Sequence, residues 1–325
     1  MKNSLFITKY GKLYSSGGTV TFIDQDGNKR IVPVYNLDSI FCIGSVSITS
    51  GIIKLIVRNG LKIHFLTKNG TYQGTLANQP LLEGEVIINQ VKLFTDERYK
   101  VHYAMEKLKS MKSAFLTLLK EYDAKDKFEK IEKIKIIRSS TNNMLGIEAS
   151  MWRVAYEFLK ENLEHFEFLQ REYYPPRGEI NAMISFINAL IYSETLSLVR
   201  EVGLLPEISF LHSSKEKRFS LVLDIADMFK PFLTLKLILN LDKENKITKF
   251  DFEEANYGTY LNETGRLTVV KEFRDALNNT FYFPKLKRNI SFKKLIKTEI
   301  ENIKSSISER REYKSFKKWE LCLQS

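Results

Sequence analysis

The chain contains little cysteine, and its two cysteines, Cys42 and Cys322, lie far apart in 325 residues. This spacing excludes a disulfide framework and the closely spaced thiolates of a zinc motif. Long hydrophobic runs are also missing. No stretch of about eighteen consecutive apolar residues occurs, and the first residues lack an extended apolar segment. We therefore expect a soluble protein of the cytoplasm with no membrane partner.

Acidic residues are outnumbered by basic ones. The chain has 50 Lys plus Arg against 39 Asp plus Glu, a formal charge of +11. Such an excess favours a polyanionic partner, nucleic acid above all, because the phosphates are neutralised and counterions are released. A basic protein whose charge only keeps it soluble fits the composition equally well. With 43% hydrophobic residues, the chain can build two globular cores.

Residues 1–86 alternate short β-branched or aromatic runs with turn signals, which predicts a β-sheet domain. Asp26-Gly27 favours a hairpin between two such runs, and Asn59-Gly60 and Asn69-Gly70 favour two further strand–turn–strand bends. The predicted strands include residues 19–23, 29–34, 52–57, 62–66 and 71–76.

From residue 87 to residue 325 the apolar residues mostly return at helical spacing, as in Ala104, Leu108 and Met111. Breaks are expected at residues 123–127, at Pro175-Pro176 and at residues 203–206. The pattern predicts an α+β protein, in which an N-terminal β-sheet domain precedes a larger all-α domain.

A few acidic residues and one histidine interrupt or flank apolar segments of this second domain. Asp224 and Asp227 are three residues apart, so they share a helix face that His212 can reach from the preceding loop. Upstream, Glu148 interrupts a small and apolar run, where a carboxylate is costly unless a cation compensates it. We therefore expect Glu148, His212 and Asp227 to bind a metal. Carboxylates with one imidazole suit Mn²⁺ or Mg²⁺.

Each of these residues also has an ordinary explanation when it is taken alone. Asp224 could cap or pair with Lys230, Glu148 could pair with Arg153, and His212 could bond to backbone. The other histidines, His64, His102 and His165, have no comparable acid cluster in the sequence and are expected to be structural.

In its motifs the chain resembles the CRISPR-associated integrase family that inserts spacers into CRISPR arrays, often called the Cas-one family. The resemblance covers nearly the whole chain. It is carried by the acid in the run 145–149, by Pro175-Pro176 before 181–185, by Leu211-His212, by 220–227 and by 258–266.

The resemblance implies a metal-dependent DNA endonuclease and integrase, in which a 3′-hydroxyl attacks a phosphodiester of a CRISPR repeat. It assigns Glu148, His212 and Asp227 as catalytic metal ligands, and Asp224 as a neighbouring catalytic acid that either ligates the metal or orients the site. It further implies a homodimer through the β-rich half, and a small companion protein of spacer acquisition, Cas-two. DNA is the implied substrate.

Basic segments add candidate DNA contacts. Lys215, Lys217 and Arg218 lie between the histidine and the acids, although a solvated basic loop is nearly as good an interpretation. Residues 285–318 hold twelve Lys or Arg against four acids, and Lys293 and Lys294 are the candidates there. The same stretch reads as an amphipathic helix, and both interpretations can hold together.

Two rival functions remain open at the level of sequence. A structure-selective nuclease of branched or repair intermediates would use the same cation with water as the nucleophile. A noncatalytic DNA-binding scaffold would keep the fold without the chemistry.

Asn181 could cap a helix or hydrogen-bond near the metal pocket, and a structural role is favoured.

Overall fold

The computed structural model describes residues 3–78, 82–212 and 219–323. Its N-terminal part contains two four-stranded sheets. In the first sheet, β1 (Asn3–Ile7), β5 (Leu37–Ile43) and β7 (Lys62–Leu66) are parallel, and β8 (Tyr72–Leu76) pairs antiparallel with β7. The second sheet has the order β4-β3-β2-β6, with bounds Lys29–Val32, Thr19–Asp24, Gly11–Ser16 and Val46–Ile48.

The predicted hairpin at Asp26-Gly27 is present between β3 and β4. Gly27 has φ of 83°, and the Asp24 carboxylate accepts hydrogen bonds from the backbone N–H groups of Asp26 and Asn28 at 3.1 and 2.9 Å. A residue without Cβ reaches this backbone conformation at little cost, so the turn follows from the local sequence.

The prediction of a strand at 52–57 is wrong, because these residues form helix α1 (Gly51–Asn59). Ile52 and Ile56, four residues apart, are its buried residues. Gly60 ends the helix at φ of 63°, so Asn59-Gly60 is a helix C-terminus and not a bend between strands. The helix crosses between β5 and β7, since parallel strands need such a connection.

The remaining elements are mainly helical, as predicted. The helices are α2 (Gly84–Thr95), α3 (Glu97–Glu121), α4 (Lys125–Lys133), α5 (Thr141–Glu161), α6 (Glu179–Val202), α7 (Ser220–Ala226), α8 (Leu237–Lys243), α9 (Glu263–Asn278) and α10 (Phe292–Ser308). Two hairpins that the sequence did not predict interrupt them, β9 (Phe252–Ala255) with β10 (Gly258–Leu261), and β11 (Thr280–Phe283) with β12 (Arg288–Ser291). The α+β class is confirmed, although the second part is not purely α.

Strand β5 joins two hydrophobic cores. Ile40 and Cys42 are buried in the core of the N-terminal sheets, whereas Phe41 and Ile43 belong to the larger core built by the helices. Successive side chains of a strand point to opposite faces, so a strand covered on both faces is apolar throughout. The burial of Cys42 therefore reflects packing.

Helix α6 is the one described helix that is long and apolar enough, by length and composition, to cross a membrane. In this structure 78% of its most apolar window is buried inside the protein. It packs against α7, α10 and β10 and forms the central helix of the larger core.

Candidate metal centre

Helix α5 places Glu148 in the protein interior. Ser140 caps the helix, and the buried residues Met144, Glu148, Met151 and Ala155 follow at intervals of four, three and four. This spacing is that of one helix face, so the carboxylate belongs to the stripe that packs against α3. Glu148 is 7% exposed.

Asp224 holds the loop that carries His212. Its two carboxylate oxygens accept hydrogen bonds from the backbone N–H groups of Phe210, Leu211 and His212, each at 3.1 Å. The side chain of His212 places Nδ1 2.6 Å from Asp224 Oδ1. A carboxylate accepts only, so this contact assigns the proton to Nδ1 and leaves Nε2 free to bind a cation.

Asp227 stands where α7 ends. Four residues later Pro231 begins a π-helical turn, Pro231–Lys236, that leads into α8. Proline has no N–H, so it cannot donate to the carbonyl of the residue four positions earlier, which is Asp227. A widened turn at this point is a common feature of functional sites. Asp227 is 5% exposed.

These three side chains, remote in sequence, meet in space. One ligand atom from each of Glu148, His212 and Asp227 lies within 4.8 Å of the others. The His212 Nε2 atom is 4.0 Å from Asp227 Oδ2. Coordination of one ion at roughly 2.0–2.2 Å from each ligand requires donors about this close together. The set expected from the sequence therefore converges.

Two lysines neutralise the acids of the centre. Lys107 of α3 is fully buried, and its Nζ lies 2.8 Å from Glu148 Oε2 and 3.2 Å from Asp227 Oδ2. Lys230 donates to the other oxygen of Asp227, and its side chain is 16% exposed. These buried acids are thus paired, as buried charges must be.

The protonation of the centre reflects this pairing. Burial raises the pKa of Glu148, and the Lys107 ammonium only partly offsets it. Burial also acts to raise the pKa of Asp227, but Lys230 and Lys107 outweigh it, and the pKa lies well below its ordinary value. For Lys107, burial lowers the pKa, whereas the carboxylates of Glu148 and Asp227 raise it further, so that it lies above its ordinary value.

The donors fit a small divalent cation. Two carboxylates and one neutral imidazole are the ligands that Mn²⁺ and Mg²⁺ accept, and thiolates are absent from the set. The hydrogen bond from His212 Nδ1 to Asp224 fixes the ring, an arrangement typical of metal-binding histidines. In the described residues Asp224 has both oxygens engaged with the loop, which favours an orienting role.

The candidate DNA-binding residues do not all lie on the surface that the sequence predicted. Lys215, Lys217 and Arg218 lie outside the described residues. For Lys293 the expectation does not fit the structure: the side chain is 1% exposed and donates to Ser4 Oγ and Asp38 Oδ1, both at 2.7 Å. It packs inward from α10 and is not on the surface. Lys294 is partly exposed, with Nζ 3.5 Å from Glu301 Oε2.

Asn181 has the structural role that was favoured. Its Oδ1 accepts from the backbone N–H of Glu172, and its Nδ2 donates to the carbonyls of Gln170 and Arg177, each at about 3 Å. It thereby ties the segment before α6 to the start of that helix.

The three other histidines likewise make contacts away from the centre. Nδ1 of His64 lies 2.7 Å from Thr75 Oγ1, Nε2 of His102 lies 2.7 Å from the Tyr313 carbonyl, and Nδ1 of His165 lies 3.5 Å from Asp242 Oδ1.

Sequence reasoning missed Lys107. Its position was nonetheless visible, because it lies three residues after Ala104 and four before Met111, both of which mark the apolar stripe of α3. A lysine on a helix's buried face needs a carboxylate partner. The apolar stripe of α3 could thus have suggested the counter-charge of Glu148.

Comparisons with known proteins concern the whole chain. The family described as CRISPR associated protein Cas1 matches residues 5–275. The CRISPR-associated endonuclease Cas1 3 of Thermodesulfovibrio yellowstonii is 31% identical over 325 residues, covering 97% of this chain and 98% of that protein. A solved CAS1 protein from Thermotoga maritima superposes with a TM-score of 0.83 at 27% identity, covering 97% of this chain and all of that one.

A casposase, solved bound to its integration product, shares the fold at lower identity. Its TM-score is 0.83 at 19% identity, and the match covers 98% of this chain and 94% of the casposase chain. At this identity the likeness concerns the fold alone.

Proposed function

This chain belongs to the Cas1 family of CRISPR-associated proteins and is a DNA endonuclease and integrase of spacer acquisition, and we propose that Glu148, His212 and Asp227 form its catalytic centre. The family uses a divalent metal ion, and these three side chains are its proposed ligands. The observation that carries the proposal is the convergence of their ligand atoms within 4.8 Å.

The proposed chemistry is strand transfer between two DNA ends. A bound divalent ion would withdraw charge from the scissile phosphate and stabilise the oxyanion that develops there. The chain's own residues prepare for this: Asp224 keeps His212 in the tautomer whose Nε2 faces Asp227, and the buried frame around Glu148 excludes water. The 3′-hydroxyl oxygen of a spacer would then attack the repeat phosphorus in line and lose its proton. As this new P–O bond forms, the bond from that phosphorus to the 3′ oxygen of the repeat strand breaks, and that oxygen leaves as a 3′-hydroxyl.

Mn²⁺ or Mg²⁺ is the proposed ion. Both prefer the oxygen ligands that Glu148 and Asp227 offer, and Mn²⁺ tolerates the imidazole of His212 better than Mg²⁺ does. We therefore expect Mn²⁺ to bind more tightly in vitro.

DNA is the substrate, and the formal charge of +11 favours it. Family membership implies the small companion protein Cas2 as a partner.

The proposed location is the cytoplasm, where a CRISPR array is found. We also retain the proposed division into domains at residues 1–86 and 87–325, and the partly exposed Lys294 as a proposed DNA contact.

A homodimer through the β-rich part is a further proposal. Ile31 and Tyr35 are 73% and 75% exposed, and β4 forms an edge of its sheet. Exposed apolar residues beside an edge strand are typical of surfaces that pair with another chain. Replacing both residues by aspartate should yield monomers in light scattering, and unchanged dimers would remove this surface from the proposal.

A strand-transfer assay tests the catalytic proposal. Purified protein is incubated with Cas2, a 3′-hydroxyl spacer duplex, a supercoiled repeat plasmid and Mn²⁺. E148A and D227A should abolish joined products while sparing most DNA binding in gel shifts. Hydrolysed plasmid without joined strands would favour the nuclease alternative, and full transfer by either variant would contradict the assigned centre.

A further inference from the structure

The Lys107 ammonium occupies the position of a cation between two of the proposed ligands. It is fully buried, and it reaches Glu148 Oε2 at 2.8 Å and Asp227 Oδ2 at 3.2 Å. Lys230 differs from it, because it contacts the opposite oxygen of Asp227 and is partly exposed. Only Lys107, of the two, bridges both carboxylates.

The oxygens that Lys107 engages are those that an ion would need. Asp227 Oδ2, which lies 3.2 Å from the ammonium, is also the oxygen 4.0 Å from His212 Nε2. An ion bound by these side chains would lie at roughly 2.0–2.2 Å from its ligands. It would therefore stand within a few ångströms of the ammonium, and like charges that close repel strongly in a buried site.

Without any cation, the two carboxylates would be buried and uncompensated, which is strongly destabilising. Lys107 supplies the missing charge from within the chain. We propose that Lys107 is the resident counter-cation of the metal-free centre, which keeps Glu148 and Asp227 in place and is displaced from them when a divalent ion binds. The inference rests on the proposed metal centre. It adds that the Lys107 ammonium competes with the divalent ion for the two carboxylates, and that this competition sets the affinity of the centre for the ion.

Metal titrations of the full chain test the competition. Isothermal titration calorimetry with Mn²⁺ is carried out on wild-type protein, K107M and K107Q. Methionine keeps most of the volume of lysine, and glutamine can still donate a hydrogen bond without carrying a charge. Both variants should bind Mn²⁺ at least about tenfold more tightly, because the repelling charge is gone and both carboxylates are released.

Thermal melts supply a second readout that does not depend on activity. In EDTA both variants should melt below wild-type protein, because Glu148 loses its counter-charge and Asp227 keeps only Lys230. Saturating Mn²⁺ should raise the melting temperature of the variants by more than it raises that of wild-type protein.

A matched control is available at Lys127. This lysine is also nearly buried, with a side chain 5% exposed, and it bridges Asp126 and Glu161 at 2.6 and 2.7 Å. K127M removes a lysine that also pairs with two carboxylates but lies outside the proposed metal centre. It should leave the Mn²⁺ affinity unchanged whatever it does to stability.

A measurement on wild-type protein follows Lys107 itself, and a variant serves only to assign the signal. Lysine labelled at Nζ gives a protected signal for a buried, hydrogen-bonded ammonium, and K107Q identifies it by its loss. Titration with diamagnetic Mg²⁺ should shift or broaden that signal while the Lys127 signal stays in place. A Lys107 signal that saturating Mg²⁺ leaves unmoved would overturn the proposal.

The titrations separate the two possible failures. If wild-type protein, K107M and K107Q all bind no Mn²⁺, the metal centre itself is contradicted. If wild-type protein binds Mn²⁺ and the affinity of K107M and K107Q is equal or weaker, the centre stands and the competition is contradicted.

Discussion

His212 presents its Nδ1 atom to Asp224 Oδ1 at 2.6 Å, and its opposite ring nitrogen faces Asp227 at 4.0 Å. The two aspartates of one short helix thus act on opposite sides of the same ring. We propose Asp224 as a positioning residue, since its carboxylate can accept only a protonated Nδ1, and Asp227 as a metal ligand.

D224N should weaken Mn²⁺ binding by roughly 10- to 100-fold. The amide nitrogen of asparagine would face the backbone N–H groups of Phe210 and Leu211 or the ring of His212, so at least one present hydrogen bond is lost. Calorimetric titration with Mn²⁺ measures the change in affinity.

D242N is the matched control for D224N. Asp242 is also fully buried, and it accepts from the backbone N–H groups of Glu164 and His165 at 2.6 and 3.1 Å, away from the centre. It should reduce stability and leave Mn²⁺ affinity intact. Equal affinities for D224N and wild-type protein would show that the loop needs no carboxylate to hold the ring.

K293M should destabilise the protein by about 3 kcal/mol, because it leaves Asp38 and Glu194 without their buried counter-charge. Lys293 Nζ lies 2.7 Å from Asp38 Oδ1 and 3.7 Å from Glu194 Oε2. Urea denaturation in EDTA measures the loss.

Two companion variants test the cause of that loss. K294M changes the neighbouring, partly exposed lysine and should stay within about 0.5 kcal/mol of wild-type stability. K293M/E194Q removes the uncompensated charge of Glu194 and should recover part of the lost stability. A double variant less stable than K293M would mean that Glu194 has another partner.

The candidate centre was predictable because its acids break an apolar pattern. Glu148 and Asp227 stand in apolar runs, where a carboxylate needs compensation, and the structure brings both together with His212. The compensating Lys107 was missed although it lies on the apolar stripe of α3, because that long helix is rich in charged residues. Burial depends on which face of α3 meets α5, and that is a tertiary property.

The fold was predictable to a similar degree. Strands β7 and β8 are short runs next to the turn signals Asn59-Gly60 and Asn69-Gly70, and the predicted bounds, 62–66 and 71–76, differ from the observed ones by at most one residue. Helix α1 was missed because its isoleucines and valine favour a strand locally, whereas the parallel pairing of β5 with β7 requires a crossover. Topology overrode local propensity there.

G60A should destabilise the protein by about 1 kcal/mol. A Cβ at Gly60 would meet no atom within 4 Å, so the cost arises from the φ of 63° alone. G84A, at the first residue of α2, also places its Cβ in open space, but no left-handed backbone is present there. It should be neutral or slightly stabilising in the same urea titration. Equal effects of the two variants would contradict the conformational argument.

Glu299 should make stability fall as the pH rises. Its carboxylate is buried in α10, where it accepts from the Tyr313 hydroxyl and from the backbone N–H of Phe316 at 3.2 Å. Burial raises its pKa to about 7, and the bond from Tyr313 only partly offsets this. Between the ordinary value of 4.5 and about 7, the folded protein holds a proton that the unfolded chain has released.

The free energy of unfolding therefore declines through this window, by on the order of 3 kcal/mol from this group. E299Q keeps an acceptor for Tyr313 and cannot ionise, so it should lose less stability than wild-type protein between pH 5 and pH 8. Urea denaturation in EDTA at both pH values gives the difference, in which the titration of all other groups cancels. E301Q, on the exposed face of the same helix, should follow wild-type protein. Parallel declines of E299Q and wild-type protein would show that Glu299 stays charged in the fold.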